Sequence, residues 1–400
     1  MTSEFETSEA ERPAATTGRR RVLTGFAGIG ATIAFPDLAR APAATRTAAI
    51  LPTGYAAALP AAIPPAELRE WAAFRARFLT PEGRVVDTAN GGTSHSEGQG
   101  YGMLLAEWAG DLEAFERILD WTLANLTRAT DALFAWQYRP DRAVPVEDRN
   151  SATDGDMAIA WALQRAGDRW DRPEWHALAA RIARDILRLE VCQAAGRSLL
   201  LPGSAGFQHA RHVVINPSYY NFPAMRSLAR LVPDPAWHRL EADGMWLLQA
   251  ARFGRWALPP DWVQVDRATG AVAPDTERPP RFSWDAVRVP LFLAWAGEAD
   301  APALATALNF WNHASPGRLP AWVDLRTGAL APYPGHAGIA AVAAMGRAAR
   351  SRAPHLAQIP SVSAAEDYYG AALIMLARIA RSEAAAQVIS FRLAEPEFNA

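Results

Sequence analysis

The chain has 400 residues, half of them apolar and a fifth charged, a composition that suits a folded globular protein with a large core. A formal net charge of −2 leaves no basic footprint for nucleic acid. The single cysteine, Cys192, excludes an internal disulfide and any multi-thiolate metal site.

Residues 1–43 read as an export leader. "RRRVLT" at 19–24 precedes a mildly apolar stretch from Val22 to Phe35 and then "ARAPAA". That is a charged region, a short apolar region and a small-residue cleavage site, placed near Ala43. The paired Arg19 and Arg20 and the polar lead-in resemble a twin-arginine signal. The apolar stretch is shorter than the roughly 20 residues that span a bilayer. The expected address is therefore the periplasm or the exterior. Residues 44–65, rich in Ala and Pro, read as a linker or arm.

From residue 66 to 390 the chain reads as one helical domain. Apolar residues recur at helical spacing in 66–79, 98–109, 112–126, 155–166, 173–190, 217–231, 235–250, 285–296, 300–313, 336–350 and 365–381. Short turns such as "AGDLEAF", "LVPDPAW" and "AGEADAPAL" join many of these into hairpins. The longer connections hold most of the Gly, Pro, Trp and Tyr. Hairpins set around a closed ring would put all of those connections on one face, so an all-α toroid is expected. "RHVVI" and "WVQV" are β-like but too few for a sheet fold, and no Gly-rich nucleotide fingerprint follows a strand.

Acids stand at three loop-to-helix junctions: Glu97 in "TSHSEGQGYGM", Asp154 and Asp156 in "NSATDGDMAIAWAL", and Asp285 in "RFSWDAVRVPLFLAW". Taken singly, each is explained as a helix cap. Beside Glu97, however, Gly98, Gly100 and Gly102 are expected to leave room for a bulky ligand, with Tyr101 offering a ring face or a hydroxyl. An Asp-x-Asp pair binds metal in some glycosyltransferases, but there it follows a strand of a nucleotide-binding fold. His95 near Glu97 is too loose a spacing for a ligand set. No metal or cofactor is expected. Two separated carboxylates in an aromatic groove suit hydrolysis of a sugar chain, one donating a proton and the other activating water or attacking carbon. Trp136, Trp256, Trp262, Trp284 and Trp322 fall in the long loops and are candidates to stack on pyranose rings, whereas Trp121, Trp161 and Trp246 read as core.

At these residues the chain resembles glycoside hydrolase family 8. "SEGQGYGM" is similar to the segment that holds that family's general acid, which falls on Glu97. "ATDGDMAIAWAL" resembles its Asp-bearing helix start, which implies that Asp154 grips the sugar at the scissile bond. "NPSYY" implies a role for Tyr219 near the catalytic water. "FSWDAVRVPLFLAW" implies Asp285 as general base and Arg288 as its support, although Trp284 stands where the family usually has Tyr. "EDYYGAALIML" implies Tyr368 and Tyr369 facing the groove, and "LLLPGSAGF" at 199–207 resembles the branch that accompanies bacterial cellulose synthesis. The resemblance implies an (α/α)6 barrel and an inverting endo-β-1,4-glucanase acting on cellulose-type chains; Tyr101, beside Glu97, and Trp136, in a long loop, are expected sugar contacts from their own positions.

Three other readings compete. The same centre suits other β-1,4 chains such as chitosan, xylan or mixed-linkage glucan. A non-catalytic glucan-binding subunit of a cellulose-export assembly would have no reason to combine Glu97, Asp154 and Asp285. A cyclase or prenyltransferase on an α/α toroid would need Asp-rich or zinc-ligand motifs, and none is visible.

Overall fold

The computed structural model describes residues 63–315 and 318–394, with side chains to residue 386. The segment expected to be a leader, with Arg19, Arg20 and the expected cleavage site near Ala43, lies outside these residues, as does almost all of the stretch 44–65. Among the described residues there are eleven α-helices. They are α1 (Pro65–Phe78), α2 (Ser96–Ala109), α3 (Leu112–Leu126), α4 (Thr153–Trp170), α5 (Pro173–Leu189), α6 (Phe222–Leu231), α7 (Pro235–Ala250), α8 (Arg288–Trp295), α9 (Pro302–His313), α10 (Ala337–Arg350) and α11 (Tyr368–Ala394).

Local chemistry starts and stops these helices. Pro173, Pro235 and Pro302 occupy first turns, where a missing N–H costs nothing. Asp111 and Asp234 cap α3 and α7 by accepting from Ala114 N (3.1 Å) and Ala236 N (2.8 Å). Gly110 closes α2 in the left-handed region at φ 75°.

Burial divides the helices into two rings. Nearly all of α2 and the first half of α4 are buried, as a helix enclosed on every side must be. In contrast, α5 buries one stripe through Trp175, Ala179, Ile182, Ala183 and Ile186. Helix α2 packs on α4, α4 on α6, α6 on α8, α8 on α10, α10 on α11, and α11 back on α2. Those six form a closed inner ring. The odd-numbered helices α1 to α9 each precede an inner helix and cover the outside. The sixth outer place, between α10 and α11, is filled by 3-10 turns at Pro354–Leu356 and Val362–Ala364. The architecture is an (α/α)6 barrel with one outer helix replaced by turns. A buried ion pair from Arg378 to Glu67 (2.9 Å) ties α11 of the inner ring to α1 of the outer layer.

Nine short strands among the described residues all lie in the connections. They are β1 (Ser94–His95), β2 (Gln137–Tyr138), β3 (Val191–Ala194), β4 (Arg197–Leu200), β5 (His212–Ile215), β6 (Val263–Asp266), β7 (Val272–Pro274), β8 (Arg281–Phe282) and β9 (Val323–Asp324). All pairings are antiparallel, including β1 with β2, β5 with β6 and β8 with β9. They stiffen the loops at one end of the barrel.

Helices α6, α8 and α11 begin three or more residues later than their periodicity suggests, and the first two shifts bear on the site. Helix α6 starts at Phe222, because Asn216 and Asn221 accept from Ser218 N (3.0 Å) and Ala224 N (3.2 Å) and split the segment into a 3-10 turn and a helix. Helix α8 starts at Arg288, so Asp285 sits in the turn before it rather than in its first turn.

Candidate active site

Packing between α2 and α4 sets the geometry. Glu97 is in the first turn of α2, and Asp154 in the first turn of α4. A Cβ on Gly155 would lie 2.1 Å from Ser96 Oγ and 2.6 Å from Glu97 N. One on Gly100 would lie 2.7 Å from Ala158 Cβ. The glycines of "SEGQGYG" therefore bring neighbouring helices together, which corrects the expectation that they clear space for a ligand. Gly102 faces Val85 and Ile118, and Gly98 faces the Tyr368 ring. Three glycines cost a helix about 3 kcal/mol relative to alanine. The close contact they allow offsets that.

Arg288, the first residue of α8, stands at the centre with 1% exposure. Its Nη1 donates to Glu97 Oε2 (2.8 Å) and Asp154 Oδ2 (2.9 Å), and its Nη2 to Asp285 Oδ1 (2.9 Å) and Ser218 Oγ (2.8 Å). One planar fork thus joins two helix starts and two connections, which a lysine ammonium lacks the geometry to do. The side chains of Glu97 and Asp285 are 22% and 31% exposed, whereas Asp154 is 9% exposed. The first two open outward and Asp154 lies deeper.

Three carboxylates around one guanidinium cannot all ionise cheaply out of water. Burial, then the charges of Glu97 and Asp285, push the Asp154 carboxyl up to about 8 despite Arg288. The cluster thus keeps a proton at neutral pH. Arg288 itself is held charged by Glu97 and the surrounding acids.

The aromatic candidates divide. Trp136 stands beside the start of α2: its carbonyl accepts from Ser96 N (3.0 Å), its indole donates to Asp148 Oδ2 (2.9 Å), and its ring stacks parallel to His95 at 6.1 Å. Tyr219 lies with its ring against the Arg288 guanidinium (5.5 Å) and edge-on to Trp262 (6.3 Å), which stacks on Phe207 (6.0 Å). Trp284 stacks on His336 at 5.3 Å. Trp322 is covered by Arg281 (4.1 Å) and donates to the Tyr333 hydroxyl (3.1 Å). Trp256 packs edge-on to Phe310 of α9 at 5.8 Å and so belongs to the wall between helices, which corrects its placement among the sugar-stacking rings. Trp161 is core, while Trp121 and Trp246 are partly buried against it.

Three tyrosines lie deeper than expected. Tyr101 is buried, its hydroxyl 3.5 Å from Arg288 Nη1. Tyr368 and Tyr369 are buried as well, rather than facing an open groove. The Tyr369 hydroxyl donates to the Trp284 carbonyl and holds the turn that carries Asp285. Asp156 does not join the cluster. It is fully buried, accepts from Phe134 N (2.8 Å), and pairs with buried Glu190, which in turn accepts from Ser151 Oγ (2.6 Å).

Sequence reasoning missed Ser218, Asp261 and Glu190. Ser218 sits in the quoted "NPSYY", where attention went to the tyrosine. Asp261 follows two prolines and precedes β6, so it reads as ordinary turn chemistry.

The family model described as "Glycosyl hydrolases family 8" matches residues 43–383. A probable endoglucanase of Novacetimonas hansenii is 46% identical over 323 residues, covering 80% of this chain and 92% of that protein. An endoglucanase of Cellulomonas uda is 40% identical over 273 residues, 68% of this chain and 75% of that one. Among solved structures, an endo-β-1,4-glucanase from Acetobacter xylinum aligns with a TM-score of 0.74 at 45% identity, over 80% of this chain and 99% of that chain.

Proposed function

The chain belongs to the glycosyl hydrolases of family 8, and from that premise we infer how its carboxylate cluster works. The protein is an endo-β-1,4-glucanase. Glu97 carries the proton that passes to the glycosidic oxygen. Asp285 takes a proton from a water molecule, whose oxygen bonds to C1 from the opposite face as the C1–O bond breaks. Asp154, below them, accepts hydrogen bonds from the ring hydroxyls and keeps the sugar distorted. Arg288 holds the three carboxylates in register, and Tyr219 stands beside the base with its ring on Arg288. The leaving chain keeps the proton from Glu97, and the new reducing end keeps the water oxygen in inverted configuration.

The observation that carries this reading is the shared guanidinium. It binds two outward-facing carboxylates and one deeper one at 2.8–2.9 Å. A glucan-binding module gains nothing by crowding three acids onto one buried cation, since each pays desolvation. NMR of the fresh reducing end released from a cello-oligosaccharide tests the mechanism. The α-anomer should appear first. A β-anomer would show a retaining reaction and remove Asp285 as a water-activating base.

The leader supports export, and "LLLPGSAGF" supports work beside a cellulose-export assembly on a nascent glucan chain. Replacing Arg19 and Arg20 by Lys should trap the precursor in the cytoplasm. Normal export of that variant would remove the twin-arginine route.

A further inference from the structure

Asp285 is not part of α8, so something other than helix geometry has to aim it. The turn Ser283–Ala286 that presents it has backbone bonds of its own, Val287 N to Ser283 O (3.1 Å) and Arg288 N to Asp285 O (3.0 Å). Those bonds close the turn but do not fix where it points.

A second carboxylate does that. Asp261 precedes β6, and its own N–H donates to the Arg281 carbonyl at the end of the loop (2.7 Å). Its Oδ1 accepts from Ser283 N (3.0 Å) and Ala286 N (2.8 Å), and the Ser283 hydroxyl donates to Oδ2. One side chain therefore grips the turn on both sides of Asp285. Asp261 is 9% exposed, while the Asp285 side chain is 31% exposed and bound to Arg288. Burying an acid is costly. Burial and the charge of Asp285 push the Asp261 carboxyl up to about 7, and only the three turn donors oppose that. An apolar residue would fill the space without that cost, but it would leave two buried N–H groups without an acceptor.

We propose that Asp261 is a positioning residue for catalysis: it clamps the 283–286 turn from behind and so sets the direction of Asp285 toward the attacking water. The proposal rests on Asp285 being the general base. Asp261 lies behind the turn with 9% exposure. It acts on the chemical step by fixing one reacting group, and misplacement of such a group by about 1 Å is worth roughly 10²-fold.

The test compares Asp261→Ala, Asp261→Asn and Asp285→Asn, with kcat and KM on a cello-oligosaccharide and the fold checked by circular dichroism. Asp261→Ala should lower kcat by roughly 10²-fold with KM within about threefold of the unmodified protein. Asp261→Asn keeps a carbonyl oxygen facing both N–H groups and should recover most of that loss. If Asp261→Ala fails to fold, Asp261→Glu, whose acceptor reaches one methylene too far, should show the same fall in kcat at constant KM. Wild-type kcat in a folded Ala or Glu variant, or an Asn variant as damaged as Ala, would overturn the proposal. High activity of Asp285→Asn would instead remove the base assignment on which it stands, so the two failures are told apart.

Discussion

Glu97→Gln and Asp285→Asn each keep the shape of the cluster and remove one proton-handling group. Each should lower kcat by about 10²–10⁴-fold, the usual contribution of a positioned acid or base. An aryl glycoside with a good leaving group needs little protonation, so it should partly restore Glu97→Gln and leave Asp285→Asn impaired. Equal rescue of both would mean that the two roles are assigned wrongly. Trp136→Ala should act on binding: its stacked ring contributes on the order of 1 kcal/mol, so KM should rise roughly fivefold with kcat nearly unchanged. At this scale Glu97, Asp154, Asp285 and Arg288 were all legible in the chain, because each lies in a local motif. Asp261 and Ser218 were not. Their partners in the cluster and the Asp285 turn lie 22 or more residues away, and no spacing rule links an acid at 261 to backbone N–H groups at 283 and 286.

The α2–α4 contact depends on the bare backbone of Gly155. Gly155→Ala places a methyl carbon against Ser96 Oγ and Glu97 N, of which the second is backbone and cannot swing aside. The two helix starts must separate, which should cost about 1–3 kcal/mol of stability. Because Glu97 and Asp154 share Arg288 Nη1, kcat should fall with the melting temperature. A variant with unchanged melting temperature and rate would show that the close approach is dispensable. The helices were legible from their periodicity, and most boundaries differ by a few residues. The purpose of the glycines was not. A glycine run beside an acid looks the same whether a ligand or a neighbouring helix comes close.

At the scale of the molecule, four buried acids make stability depend on pH. Asp154 is pushed up to about 8 by burial and its acidic neighbours, and Asp261 and Glu190 to about 7, mainly by burial. Asp156 is also raised, by burial and by Glu190, so the Asp156–Glu190 pair titrates as a unit. A carboxyl raised in the folded state binds its proton more tightly there than in the unfolded chain. Its stabilising effect is complete below the ordinary carboxyl value of about 4 and is lost as pH rises through the folded value. Calorimetry should therefore give a lower melting temperature at pH 8 than at pH 5. Asp156→Asn, which supplies an amide donor to Glu190 at any pH, should reduce that difference. A melting temperature that rises from pH 5 to 8 would contradict the assignment of these groups.

The chain by itself determined the all-helical architecture, the hairpin order and the acids of the centre, since periodicity, caps and short motifs are properties of neighbouring residues. Only the tertiary structure decided which acids meet. Closing six inner helices into a ring brings the connection before α8 onto the starts of α2 and α4, and Arg288 then reaches all three carboxylates. The same closure buries Tyr101, Tyr368 and Tyr369, turns Trp256 into the wall, and leaves Asp156 with Glu190 away from the cluster. Those outcomes depend on which helix lies against which, and so on contacts between residues far apart in the chain.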